Sequence, residues 1–133
     1  MRLFLLGLPF IAAGTATAFA QEPSLGAGLY GYYCAYCHGV NATGNGTLAR
    51  FLEIPVPDLT GLSSRNGGAF PMLDVVHQLD GTRESRVHGG PMPDFGPLFD
   101  EENLGYYDEI ASEIDRNGRI LTIVLYLEQV QKP

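Results

Sequence analysis

The 133-residue chain contains no tryptophan, one lysine, two cysteines and three histidines. The cysteines, Cys34 and Cys37, lie three positions apart in one short motif, so neither remains to build a disulfide framework. One lysine (Lys132) and seven arginines face 15 carboxylates, for a formal net charge of −7. Such a balance excludes a general binder of nucleic acid or of anionic membrane on electrostatic grounds. After the apolar run at 3–13 no second long hydrophobic stretch follows, so no segment is predicted to cross a bilayer. Internal repeats, low-complexity tracts and strand-like alternation are also missing, which leaves a single all-α domain.

The first residues read as an export signal. Met1-Arg2 is a short positive start, residues 3–13 are apolar, and Ala18-Phe19-Ala20 supplies a small-x-small cleavage signature. Residues 1–20 are expected to be a signal peptide removed after Ala20, with residues 21–133 forming the mature domain. The alternative is an uncleaved leader serving as a membrane anchor, the one route by which this chain would meet a membrane. Cleavage removes Arg2 and leaves seven basic against 15 acidic side chains, a formal charge of −8.

Residues 34–38 read Cys34-Ala35-Tyr36-Cys37-His38. Two thiols three residues apart on a helical turn can add to the two vinyl groups of one haem, and the next residue offers an imidazole to its iron. Zinc would need four ligands, and no second cysteine pair exists to complete such a site. A thioredoxin-like C-x-x-C belongs beside a strand in a βαβ unit, a pattern not found around this one. The motif therefore predicts one covalent haem c, with Cys34 and Cys37 as its attachment points and His38 as an iron ligand. Attachment of this kind takes place outside the cytoplasm, in keeping with the leader and with a periplasmic location.

Around the motif, residues 25–37 are expected to form a helix capped by Ser24, with Gly26, Tyr30 and Cys34 on one stripe. The loop-rich segment 39–68 has room for a short turn at 47–52. A second helix opens with Pro71 at its first position, carries Met72, Val75, Val76 and Leu79 on its apolar face, and ends at Gly81. Residues 89–97, with three prolines and three glycines, are expected to be neither helix nor central strand. A last helix covers at least 119–130, and Asn117-Gly118 leaves open whether it is continuous with the helical pattern beginning near Tyr107.

The iron has a second face. Met92 is the first candidate for it, a thioether held in a loop between Pro91 and Pro93. His88, just before that loop, is the next, and an open or water-bound position is the third. Met72 belongs to a helical apolar face and reads as packing, and His77 beside it reads as a surface histidine. A His38/Met92 iron leaves no position for substrate and favours electron transfer over bond chemistry. Tyr30, Tyr32, Tyr33 and Tyr36 read as packing residues rather than a radical relay.

Taken together, these residues resemble a class I c-type cytochrome of the small bacterial periplasmic kind with a single haem. The motif lies near the mature N-terminus. Gly26-x-x-x-Tyr30-x-x-x-Cys34 resembles the family's first helix, and Ile123 with Tyr126 resembles the pair it meets on the last. Phe70-Pro71, Asp80-Gly81, His88-Gly89 and Met92-Pro93 resemble its mid-section and methionine loop. The resemblance implies a small cytochrome c fold in which the N- and C-terminal helices cross and loops wrap one covalently bound haem. It also implies a proline carbonyl against the N–H of the haem histidine, for which Pro55 and Pro57 are both available. Phe95 stands where relatives often carry tryptophan. Segment 98–117 is long and acidic, and is read as a surface that faces a partner.

The function expected is that of a monomeric periplasmic carrier of one electron, not an enzyme, serving redox protein partners that carry a basic docking patch. Two alternatives stand beside it. One is an electron-accepting subunit of a periplasmic dehydrogenase complex; the other is a haem enzyme or gas sensor with a labile distal ligand.

Overall fold

The computed structural model describes residues 24–82 and 92–133, which form six α-helices and two 3-10 turns with no strand among them. The expected leader at 1–20, His88 and most of the loop before Met92 lie outside the described residues. The α-helices are α1 (Leu25–Tyr33), α2 (Ala35–His38), α3 (Leu62–Arg65), α4 (Met72–Asp80), α5 (Phe95–Glu102) and α6 (Glu109–Gln129). The 3-10 turns are Ala49–Phe51 and Leu59–Gly61. None of these helices is long and apolar enough to cross a membrane.

Helix α1 starts where Ser24 Oγ accepts from the Ala27 amide at 3.2 Å, so one of the donors left unpaired at a helix start is satisfied. It crosses α6 at Gly26. A β-carbon there would lie 2.7 Å from Tyr126 Cβ and 2.8 Å from the Thr122 carbonyl oxygen, too close for any side chain. That approach brings the Tyr30 and Tyr126 rings to 5.1 Å between centroids, tilted by 40°. Among the described residues, Tyr30, Phe99, Ile123 and Val124 are the largest fully buried side chains. Burial of Phe99, Ile123 and Val124 contributes about 1.5–3 kcal/mol each. From α4, Leu79 is buried in the same cluster while Met72, Val75 and Val76 pack against it. His77 is exposed. Gly81 closes α4 at φ +79°, a left-handed cap suited to glycine.

The structure departs from the expected elements at four places and decides a fifth that the sequence left open. The first helix stops at Tyr33 and resumes at Ala35, because Cys34 sits at φ −115° between the two segments. Residues 58–65, expected to be loop, form a 3-10 turn and α3, nucleated where Asp58 Oδ1 accepts from both the amide (2.8 Å) and the hydroxyl (2.6 Å) of Thr60. Pro71 is the N-cap of α4 rather than its first residue. Helix α5 begins at Phe95, inside the stretch expected to be non-helical. Its Pro97 falls in the first turn, where a missing N–H removes no helical bond. Finally, α6 runs unbroken through Asn117-Gly118. A mid-helix glycine costs roughly 0.5–1 kcal/mol, which the burial of Ile120, Ile123, Val124 and Leu127 in the following turns readily offsets.

Segment 98–117 is therefore most of α5, a short connection and the first half of α6. Two arginines tie it together. Arg116 pairs with Asp100 at 2.6 Å and approaches Glu113 at 3.9 Å. Arg119 pairs with Glu102 and Asp115 at 2.7 Å each, and its guanidinium lies 5.2 Å from the centre of the Phe99 ring. The Tyr33 hydroxyl donates to Glu102 at 2.7 Å, and Asn103, which is buried, donates to Asp115 at 3.1 Å. Four of the segment's seven carboxylates thus meet an arginine of the same segment or its edge.

Candidate haem-attachment site

Helix α2 is a single turn, yet every backbone carbonyl along it is engaged. His38 N donates to Cys34 O at 2.9 Å and Gly39 N to Ala35 O at 2.8 Å. The following loop then folds back: Leu48 N reaches Tyr36 O at 2.8 Å, Gly46 N reaches Cys37 O at 3.0 Å, and Gly44 N reaches His38 O at 2.8 Å. These bonds satisfy the acceptors that a helix end leaves open and fix the direction in which the motif's side chains leave it. From α1, the Tyr30 hydroxyl donates to Gly39 O at 2.7 Å, joining the helix crossing to the residue after His38. Burial holds that phenol well above its ordinary pKa, with the neighbouring Cys34 and Tyr126 adding to the effect, so it remains a donor.

Cys34 and Cys37 are both free thiols. Cys34 is buried and Cys37 half-buried. Burial first, and the adjacent Cys37 second, push the Cys34 thiol up to about 12. His38 is 7% exposed, and its Nδ1 lies 3.2 Å from the Pro57 carbonyl oxygen. Burial lowers its pKa and the Pro57 contact opposes that shift; the net change is downward, which favours the neutral ring that a metal requires. With Nδ1 facing a carbonyl, Nδ1 carries the proton and Nε2 is left to coordinate.

Of the two prolines, the structure brings Pro57 and not Pro55 to the imidazole. The segment that does so is held from several sides. Leu59 N donates to Ala42 O at 2.7 Å, and Arg65 Nη2 donates to Asp58 O at 2.7 Å. Ala42 is buried and adopts φ +59°, a left-handed conformation unusual for a residue with a β-carbon. No composition or spacing signal in the sequence points to Ala42 as this contact. Met92 is 39% exposed and stands two residues before Asp94, the N-cap of α5. Tyr32 and Tyr36 are exposed, whereas Tyr33 is bound into the arginine network.

The donor set suits a haem: two unbonded thiols and a buried neutral imidazole on one turn, with Nε2 available. Beside α2 the chain also leaves Leu48 and Phe51 exposed, an apolar surface that an apolar macrocycle can cover. Sequence reasoning missed Tyr30's bond to Gly39, the Arg119 network and Gln131. Arg119 alone gave a signal, lying four residues after Asp115 on one helix face.

A family model described as Cytochrome c matches residues 23–106, well over half of the chain and the whole stretch from the α1 cap through α5. No curated protein and no solved structure matches the chain. With that match spanning the pentapeptide and its surrounding loops, the chain belongs to the cytochrome c family, whose members bind haem c covalently with its iron.

Proposed function

We propose that this protein carries single electrons in the periplasm, with Cys34 and Cys37 as the positions that would bond a haem and His38 and Met92 as the residues that would hold its iron. The observation that carries the reading is the buried, neutral His38 with Nδ1 directed at the Pro57 carbonyl and Nε2 free. When bound, the haem supplies an iron that cycles between ferrous and ferric with little change of shape. The chain's own residues do the rest. The loop at 39–48 fixes the motif, Pro57 orients the imidazole, and the packed helices hold the arrangement rigid so that little reorganises when charge changes. Met92 precedes α5, which is anchored through Phe95 and Phe99 in the core, so its thioether is offered from a tethered segment. The leader signature supports export.

For partners, we propose a redox protein with a basic patch. The segment after Met92 exposes Glu101 and Glu109 beside Tyr106 and Ile110, combining negative charge with apolar contact area. Whether the protein works alone or as a dehydrogenase subunit is decided by what co-purifies with it.

Met92→Ala tests the ligand assignment. The variant is expected to retain covalent haem while losing the long-wavelength thioether-to-iron band of the oxidised protein and shifting to a lower potential. An unchanged spectrum overturns Met92, and a wild-type protein without that band whose ferric spectrum changes in His88→Ala moves the assignment to His88. A wild-type protein with no such band and a spectrum unchanged in both variants favours the haem enzyme or gas sensor instead.

A further inference from the structure

The last residues of the chain reach back to the turn that follows Pro57. The Gln131 side chain makes three hydrogen bonds: Nε2 donates to Leu59 O at 2.8 Å and to Leu127 O at 2.7 Å, and Oε1 accepts from Ser63 N at 2.9 Å. Next to it, Lys132 N donates to Thr60 O at 2.9 Å. Helix α6 is in turn fixed to α1 at Gly26. A continuous path therefore runs from the helix crossing through α6 and Gln131 to Leu59, two residues from the carbonyl that faces His38.

We propose that Gln131 is a positioning residue for the His38 imidazole, acting through the Leu59–Gly61 turn and the Pro57 carbonyl. The proposal rests on the reading of His38 as an iron ligand. Three features support it. At 3.2 Å the His38–Pro57 contact lies at the outer end of the N–H···O range, so a displacement of a few tenths of an ångström is enough to lose it. Peptide planarity transmits a movement of Leu59 to Pro57, since only two soft torsions per residue intervene. The bond chemistry is also specific. Both amide hydrogens and the amide oxygen of Gln131 are used, on three elements, whereas a plain helix cap would need only the Leu127 carbonyl.

The expected consequence has a sign. A hydrogen bond from Nδ1 to a carbonyl makes the imidazole a more basic ligand. A more basic ligand favours the ferric ion, so loosening Pro57 shifts the equilibrium toward ferrous iron.

The test uses the haem-loaded protein with Gln131→Ala and Gln131→Glu; the latter keeps the acceptor for Ser63 but removes both donors. Arg116→Ala, which breaks the ion pair between α6 and Asp100 of α5, serves as a control for general destabilisation. Both Gln131 variants should speed exchange of the His38 Nδ1 proton with solvent, read by NMR, by about tenfold or more. They should also move the ferric/ferrous equilibrium severalfold toward ferrous, where tenfold corresponds to about 59 mV for one electron. Arg116→Ala should lower the thermal midpoint with both His38 readouts unchanged. Gln131 variants that lose thermal stability while proton exchange and potential stay at wild-type values overturn the proposal. Wild-type His38 ring protons without the displacement that a haem face imposes would overturn the ligand reading, and this inference with it.

Discussion

At the scale of single residues, Asp58 shows how a local bond becomes a pH response. Its carboxylate is held below the ordinary aspartate range by the Thr60 hydroxyl first and the Thr60 amide second. A native pKa below the unfolded value of about 3.9 means that Asp58 stabilises the fold above that value. The contribution is lost as the pH falls through the lower native one. Asp58→Asn is therefore expected to melt below wild type at neutral pH and to lose less as the solution is acidified. Thermal midpoints measured from neutral to strongly acidic pH check this, and parallel curves would refute it. The pentapeptide and the Ser24 cap were legible residue by residue, because each is a local pattern. The choice between Pro55 and Pro57 was not, since it depends on where the Ala42 carbonyl meets Leu59, and that bond joins residues 17 apart in the chain.

At the scale of elements, the crossing of α1 and α6 is the feature most directly written in the sequence. Gly26, Tyr30 and Cys34 share a stripe, and the absent side chain at Gly26 is what allows Tyr126 and Thr122 to approach. Gly26→Ala should then cost on the order of 1–3 kcal/mol through overpacking, measured by chemical denaturation of the haem-loaded protein. A value near zero would show that the helices can separate there without loss. The boundaries of α5 and α6 were less legible. Pro97 and Gly118 are ordinarily read as helix breakers, but one sits in a first turn and the other is followed by four buried aliphatic side chains on the same helix. Position in the first turn decided the one and tertiary burial the other, and no local pattern reports that burial.

At the scale of the whole molecule, part of the acidic charge expected to face a partner is paired within the fold. Arg119 draws on Asp115, Asn103, Glu102 and Tyr33, partners 4, 16, 17 and 86 residues away, so only the Asp115 share of the compensation could be seen along the chain. Electron transfer to a basic partner is still expected to slow as salt rises, because a net charge of −8 on residues 21–133 remains to steer the encounter. The slope should reflect the exposed Glu101 and Glu109 more than the paired carboxylates. Stopped-flow rates with the native partner across ionic strength check it, and a flat or rising profile would assign the encounter to apolar contact alone. The same arrangement divides α6 into two regimes. Beyond Gly118 the helix is held by buried Ile120, Ile123, Val124 and Leu127; before it, Ile110 and Ile114 are 72% and 68% exposed and the ties are ionic. Apolar burial tolerates salt, whereas partly exposed ion pairs are screened by it. One rod about 31 Å long thus has a heat-limited end and a salt-limited end, and concentrated electrolyte would loosen its first turns while the crossing with α1 stays closed.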